Sequence, residues 1–146
     1  MSSTQCQFKT MRFEVLGEVI GKGRPRFTKQ GRTYTPKKTL DYERAIKRAY
    51  LNKYTYLSKK SIRIKICAYF EVAKSHSKVK KQKMLANELQ CTKKPDVDNI
   101  VKVVLDALNK VAYQDDTQVV ELVAIKRWSN ESRLKVIIEE IGETMN

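Results

Sequence analysis

The amino-acid sequence predicts an α+β fold: one small domain over residues 1–146, with a mixed or antiparallel sheet of about four strands and two to three helices. Two runs, 11–19 and 61–72, alternate apolar and polar residues with the period of a half-buried strand. Over 97–108 the apolar residues recur instead at helical spacing. A chain of 146 residues, 41% of them apolar, is long enough to bury a core without staples, and no break in composition marks a second domain. The expected order of elements is β-hairpin-α-β-α-α-β-β.

Residues 1–10 are polar and expected to fray. In the first strand Met11, Phe13, Val15 and Val19 share one side, with Arg12, Glu14, Leu16 and Glu18 opposite. Residues 21–36 hold three glycines and two prolines, which exclude a long regular element. Lys29-Gln30-Gly31 fits a hairpin tip between 26–28 and 32–35. A helix follows, capped by Thr35 with Pro36 at its first position, and runs through Leu40, Tyr42, Ile46 and Tyr50 to Tyr54. The strand over 61–72 is the clearest in the chain, with Ile62, Ile64, Ile66, Ala68, Phe70 and Val72 on one face. Residues 73–94 are rich in lysine, and Ser77 can cap a short helix from Lys78 to Asn87. This segment is either a mobile basic arm that orders on DNA or an ordinary solvated helix. Runs 119–128 and 133–141, joined by Ser129-Asn130-Glu131, predict an antiparallel hairpin.

Charge points to the partner. Lys and Arg number 30 against 16 Asp and Glu, a net charge of +14, which favours nucleic acid. Residues 21–60 hold thirteen of the cations against only Asp41 and Glu43. Lys22, Arg24, Arg26, Lys29, Arg32, Lys37 and Lys38, with Lys93, Lys94 and Asn99 further on, are the candidate DNA contacts. Phe27 and Tyr34 interleave with these cations, and either stack on bases or pack against the sheet. Other classes are excluded. Cys6, Cys67 and Cys91 form no CxxC pair or even-numbered framework, so neither a disulfide scaffold nor a zinc site is expected, and a reducing cytoplasm fits. No signal core or membrane-length apolar run is present. The single histidine, His76, rules against a Ser-His-Asp triad.

Five of the six aspartates fall between Lys93 and Leu122: Asp96, Asp98, Asp106, Asp115 and Asp116. Pro95 favours an extended Lys94, and a three-turn helix then begins at Val97, with Val97, Val101, Val104 and Leu108 inward, widened by Ile100, Leu105 and Ala107. Its polar stripe is Asp98, Lys102, Asp106 and Asn109. Asp96 and Asp98 sit at the positive helix end, where each alone reads equally as a cap. The helix carries the chain roughly 18 Å from Asp96, and the link from Asn109 can reach back about 23 Å, so Asp115 or Asp116 can return to the Asp96–Asp98 end. Three carboxylates near one point need cations between them. Oxygen donors without histidine suit Mg²⁺ or Mn²⁺ rather than zinc. Lys102, one turn from Asp98, can stabilise charge on a phosphate or pair with Asp98 or Asp106. An aspartyl-phosphate reading of Asp-x-Asp fails, because Cys-Thr-Lys-Lys-Pro precedes it instead of a buried strand. Asp106 reads as a structural or salt-bridging residue.

The segments Lys94-Pro95-Asp96-Val97-Asp98-Asn99-Ile100-Val101-Lys102, Leu105-Asp106-Ala107-Leu108 and Tyr113-Gln114-Asp115-Asp116-Thr117-Gln118-Val119-Val120 resemble the RusA family of Holliday-junction resolvases. Gly23-Arg24-Pro25-Arg26-Phe27 and Tyr34-Thr35-Pro36 are similar to its amino-terminal pattern. The resemblance implies a bacterial, often phage- or prophage-borne, α+β homodimer that cuts four-way DNA junctions with Mg²⁺ in recombination and repair, with no small-molecule cofactor and no membrane partner. It places the catalytic and metal-holding aspartates at Asp96, Asp98 and Asp116 and the essential lysine at Lys102, with Asp115 as a companion acid. A two-fold dimer would present two equivalent sites to opposed strands. The competing functions are a non-catalytic protein binding branched or single-stranded DNA, and a nuclease for flaps or other branched DNA.

Overall fold

The computed structural model of the protein describes residues 7–144. Its elements are β1 (Thr10–Leu16), β2 (Arg26–Phe27), β3 (Thr33–Tyr34), α1 (Lys37–Leu51), β4 (Ser61–Glu71), α2 (Lys78–Leu85), α3 (Val97–Leu108), a 3-10 turn (Asp116–Gln118), β5 (Val119–Ser129) and β6 (Arg133–Gly142). The α+β class and the expected order of elements are both observed. Of the stretch expected to fray, residues 1–6, with Cys6, lie outside the described residues, while Thr10 already belongs to β1. Cys67 and Cys91 are free thiols. Among the described residues no helix is long and apolar enough to cross a membrane.

Four strands form a mixed sheet in the order β1-β6-β4-β5, and β2 and β3 form a separate ribbon. β4 runs antiparallel to β6 and parallel to β5. This corrects one expectation: β5 and β6 are not a hairpin, because β4 lies between them. The link must cross two strand spacings, about 9.6 Å. Four residue steps reach roughly 14 Å when extended, so the crossing is short but unstrained. It is held by Val72 N–H donating to Ser129 O (3.1 Å), Glu71 N–H to Ser132 Oγ (3.0 Å) and Gly17 N–H to Ser132 O (3.0 Å). β4 takes the centre because its inward side chains, Ile62, Ile64, Ile66, Ala68 and Phe70, are all buried, whereas β5 is exposed along much of its first half. β1 stops short of Val19 because Gly17 adopts φ +102°, a turn that side chains with a Cβ resist.

α1 and α3 pack together over the inner face of the sheet, and Phe13 meets Tyr50 edge to face with ring centres 5.8 Å apart. Thr35 does not cap α1. Pro36 itself holds the capping position with an extended ψ of 144°, and the helix starts at Lys37 and ends at Leu51 rather than Tyr54. Ser77 does cap α2, accepting from Lys80 N–H, but α2 stops at Leu85 and buries only Met84. In α3 the buried stripe is Ile100, Val103, Val104, Ala107 and Leu108. The face is therefore turned from the one expected: Val103 is inside and Val97 is 42% exposed. Burial of each large side chain in that stripe is worth roughly 1.5–3 kcal/mol, which fixes the helix and everything on its polar side.

One carboxylate breaks the apolar alternation of β6. Glu140 is only 4% exposed and accepts hydrogen bonds from Lys9 N–H, Tyr56 Oη and Ser58 Oγ. Burial alone would raise its pKa, but those donors outweigh burial and hold it below its ordinary value of 4.5. Its contribution is complete above the unfolded value and is lost as pH falls through the lower folded one, so the loss lies on the acid side of that value. Glu140→Gln is expected to cost about 2 kcal/mol, seen as a lower urea midpoint at neutral pH with an unchanged slope. The difference from wild type should shrink as the solution is acidified.

Candidate active site

The amino end of α3 presents the first two aspartates. Asp96 occupies the capping position with extended backbone, yet its side chain caps nothing. Asn99 and Ile100 N–H groups go instead to Asp96 O (both 3.1 Å), and Asn99 N–H also reaches Asp98 Oδ1 at 3.0 Å. Both carboxylates are exposed beside the positive end of the helix dipole. The reading of Asp96 as a mere cap is thus removed. Lys102 is exposed one turn along and makes no ion pair with Asp98 or Asp106 among the described residues.

The segment before the hairpin is clamped onto this end of α3. A Cβ at Gly21 would lie 2.7 Å from Pro95 Cβ and 3.1 Å from Asn99 Cβ, so only glycine allows the approach. Lys22 N–H donates to Asn99 O (2.9 Å), and Gly23 N–H donates to Thr39 Oγ1 (2.9 Å) on α1. The Lys22 ammonium bridges Glu43 Oε2 at 2.6 Å and Asp106 Oδ2 at 2.9 Å. Burial alone would lower the Lys22 pKa, but these two carboxylates outweigh it and raise the value. Lys22, a candidate DNA contact by sequence, is in the fold a tie between loop, α1 and α3. Asp106 is its partner, in keeping with a salt-bridging role. Between this loop and the helix start lies a cavity of about 530 Å³, lined by Glu18, Arg24, Lys38, Lys94, Asp96 and Asn99. The Lys94–Pro95 peptide at its rim is cis.

The returning link delivers Asp115 and Asp116 to very different environments. It turns at Lys110 (φ +65°), with Lys110 N–H donating to Tyr113 O (2.7 Å), and buries Tyr113 with its hydroxyl on Leu105 O (2.8 Å). The Tyr113 phenol is pushed far up, first by burial and then by the negative charges of Asp116, Asp106 and Asp115. Asp115 is committed: it caps the 3-10 turn, accepting from Thr117, while Gln118 returns a bond to Asp115 N–H. Thr117 holds the Asp115 carboxyl below its ordinary value. Asp116 is exposed, and its side chain takes no hydrogen bond among the described residues.

Most of the expected DNA contacts are free. Arg24, Arg26, Lys29, Arg32, Lys37, Lys38, Lys93 and Lys94 are all exposed. Asn99 is half-buried at the cavity wall. Lys126 Nζ donates to Lys93 O and so anchors the approach to α3 on β5. Phe27 and Tyr34 are 71% and 49% exposed on the ribbon, so they do not pack against the sheet. Two residues escaped sequence reasoning. Gln118 is buried and donates to Ser58 O and Lys60 O, holding the turn that presents Asp116. Its signal was available in the Asp115-x-x-Gln118 spacing of a capping box. Glu140 left no comparable signal.

A divalent ion is the cofactor that this chemistry implies. Among the described residues no three His, Cys, Asp or Glu side chains are grouped closely enough to hold an ion by themselves. Mg²⁺ does not require such a cage. It is commonly held by one or two carboxylates, water and the phosphates of the substrate. Asp96 and Asp98, both exposed and with Asp96 free of a capping role, fit that donor set.

A family model described as Endodeoxyribonuclease RusA matches residues 17–139. The chain is also 36% identical over 138 residues to the uncharacterized protein YqaN of Bacillus subtilis (strain 168), a similarity that covers 90% of this chain and 97% of that protein.

Proposed function

The chain belongs to the RusA family of endodeoxyribonucleases, and from that premise we infer that it is a Mg²⁺-dependent, structure-selective nuclease that resolves four-way DNA junctions by paired nicks. The observation that carries this reading is Asp96: a capping residue that leaves its carboxylate free, next to Asp98, within a protein of net charge +14. A carboxylate pair exposed in so positive a body serves to bind a cation rather than to repel the DNA that the body attracts.

In this reading Asp96, Asp98 and Asp116 would hold the ion, Mn²⁺ serving in place of Mg²⁺, while Asp115 shapes the turn. The ion, when bound, supplies activation of water and stabilisation of the leaving oxygen. Lys102 places an uncommitted positive charge beside the phosphate and opposes the negative charge that builds there. Arg24, Arg26, Lys29, Arg32, Lys37, Lys38, Lys93 and Lys94 hold the DNA backbone, and Phe27 and Tyr34 offer exposed rings for stacking. A homodimer provides the second nick by symmetry. The edge strand β5, with Val120, Leu122 and Val123 exposed, offers apolar surface to the second copy.

The test is a comparison of substrates. A synthetic four-way junction, a flap and a linear duplex are incubated with the protein in Mg²⁺ and in EDTA. Symmetric nicks on the junction alone, abolished by EDTA, are expected. Junction affinity should also fall steeply between about 50 and 200 mM salt if many phosphates are contacted. Binding without cutting in Mg²⁺ would leave a DNA-binding module, and equal cutting of flaps would remove the junction selectivity.

A further inference from the structure

We propose that the cavity beside Asp96 is a subsite for one nucleotide flanking the scissile bond, its backbone phosphate gripped by Arg24 and Lys38. The inference deepens the nuclease reading and rests on it. A volume of about 530 Å³ suits a single nucleotide and not a duplex. The walls are polarised. Arg24, Lys38 and Lys94 make no ion pair among the described residues, so three cations are free to meet an anion there. Glu18 and Asn99 line the same cavity and offer hydrogen-bonding groups to a sugar or base edge. A phosphate is repelled from the Glu18 side, and this orients the nucleotide.

The cavity is also rigid in the way a positioning site needs. Arg24 belongs to a loop pressed on α3 at Gly21, tied to Asn99 O through Lys22 N–H and tied again through the Lys22 ion pairs to Glu43 and Asp106. Lys38 stands in the first turn of α1, next to Thr39, whose hydroxyl receives Gly23 N–H. The backbone that carries these cations is therefore held in register with the helix start that presents Asp96. Their effect is to place the neighbouring phosphodiester rather than to take part in its cleavage, so Arg24 and Lys38 are positioning residues.

Methylphosphonate scanning of a four-way junction tests this. Single neutral linkages are placed around the cut, and binding is measured without metal for Asp98→Asn protein, with and without Arg24→Ala and Lys38→Ala. At one position next to the cut, the neutral linkage should weaken binding about tenfold when Arg24 and Lys38 are present and have no effect when they are absent. Penalties at the other positions should be unchanged. The proposal is overturned if no position loses its sensitivity, or if all positions lose it equally, as general electrostatics would require. Cutting of the unmodified junction by wild-type protein in Mg²⁺ is scored separately. Its failure removes the nuclease reading, while the position-specific coupling is judged by binding alone.

Discussion

Asp98→Asn is expected to slow junction cleavage by roughly 10³-fold while leaving junction affinity unchanged or tighter. The fold should tolerate the change. Asp98 is exposed, and an asparagine Oδ1 can still accept from Asn99 N–H as the aspartate does at 3.0 Å. What disappears is a full negative charge at the helix start. The favourable contact with the helix dipole is worth only about 0.3–1 kcal/mol, so any loss of stability is small. Removing a carboxylate from the surface that faces DNA also removes a repulsion, and this is why binding should hold or tighten. The loss must therefore appear in kcat. Asp116→Asn should behave in the same way, since the Asp116 side chain takes no hydrogen bond among the described residues, whereas Asp115→Asn should chiefly loosen the turn that Thr117 and Gln118 close. Cleavage by Asp98→Asn at the wild-type rate would sink the carboxylate mechanism. So would wild-type cleavage that persists in EDTA.

Much of this arrangement was legible in the sequence, for reasons of period. β4 and α3 carry long apolar repeats whose spacing admits one conformation each, and both were placed within a residue of their observed bounds. Strand order was not legible. The runs that became β5 and β6 are close in sequence and look like a hairpin, but pairing depends on which strand the chain threads between them, and Ile62, Ile64 and Ile66 made β4 the better centre. The inward face of α3 is turned toward Val103 and away from Val97, a choice that sequence leaves open because both residues are valine. In the fold Val97, in the first turn of α3, stays 42% exposed while Val103 is fully buried.

Charges divide along the same line. The basic excess of residues 21–60 was readable by counting, but counting treats Lys22 and Arg24 alike. Folding brings Glu43 and Asp106 to Lys22 and leaves Arg24 with no ion pair among the described residues. The Asp115–Asp116 pair shows the reverse. Two adjacent identical residues are separated in role by the backbone of a 3-10 turn, which uses the first as a cap and points the second outward. Free and committed charges are thus the property that the fold adds to the sequence, and the proposed chemistry depends on the free ones.

Lys102→Met is expected to lower kcat by roughly 10²-fold with little change in KM, and it tests that property most directly. Lys102 lies on the stripe of Asp98 and Asp106, where an i,i+4 salt bridge would be the ordinary outcome. Asp106 pairs with Lys22 instead, at 2.9 Å, and Lys102 is left exposed, with no ion pair among the described residues. Methionine keeps most of the aliphatic stem and a high helix propensity, so α3 should keep its packing and its stability within about 0.5 kcal/mol. One charge lost from a net +14 alters the general attraction for DNA only slightly, which keeps KM close to its original value. A charge that acts only as the phosphate becomes more negative must therefore show its loss in kcat. The Lys102→Arg variant should recover part of the rate, because it restores the charge with a different reach. A raised KM with unchanged kcat would make Lys102 one more backbone contact. A drop in thermal stability with unchanged kinetics would make it a structural residue, and either result would remove it from the chemistry.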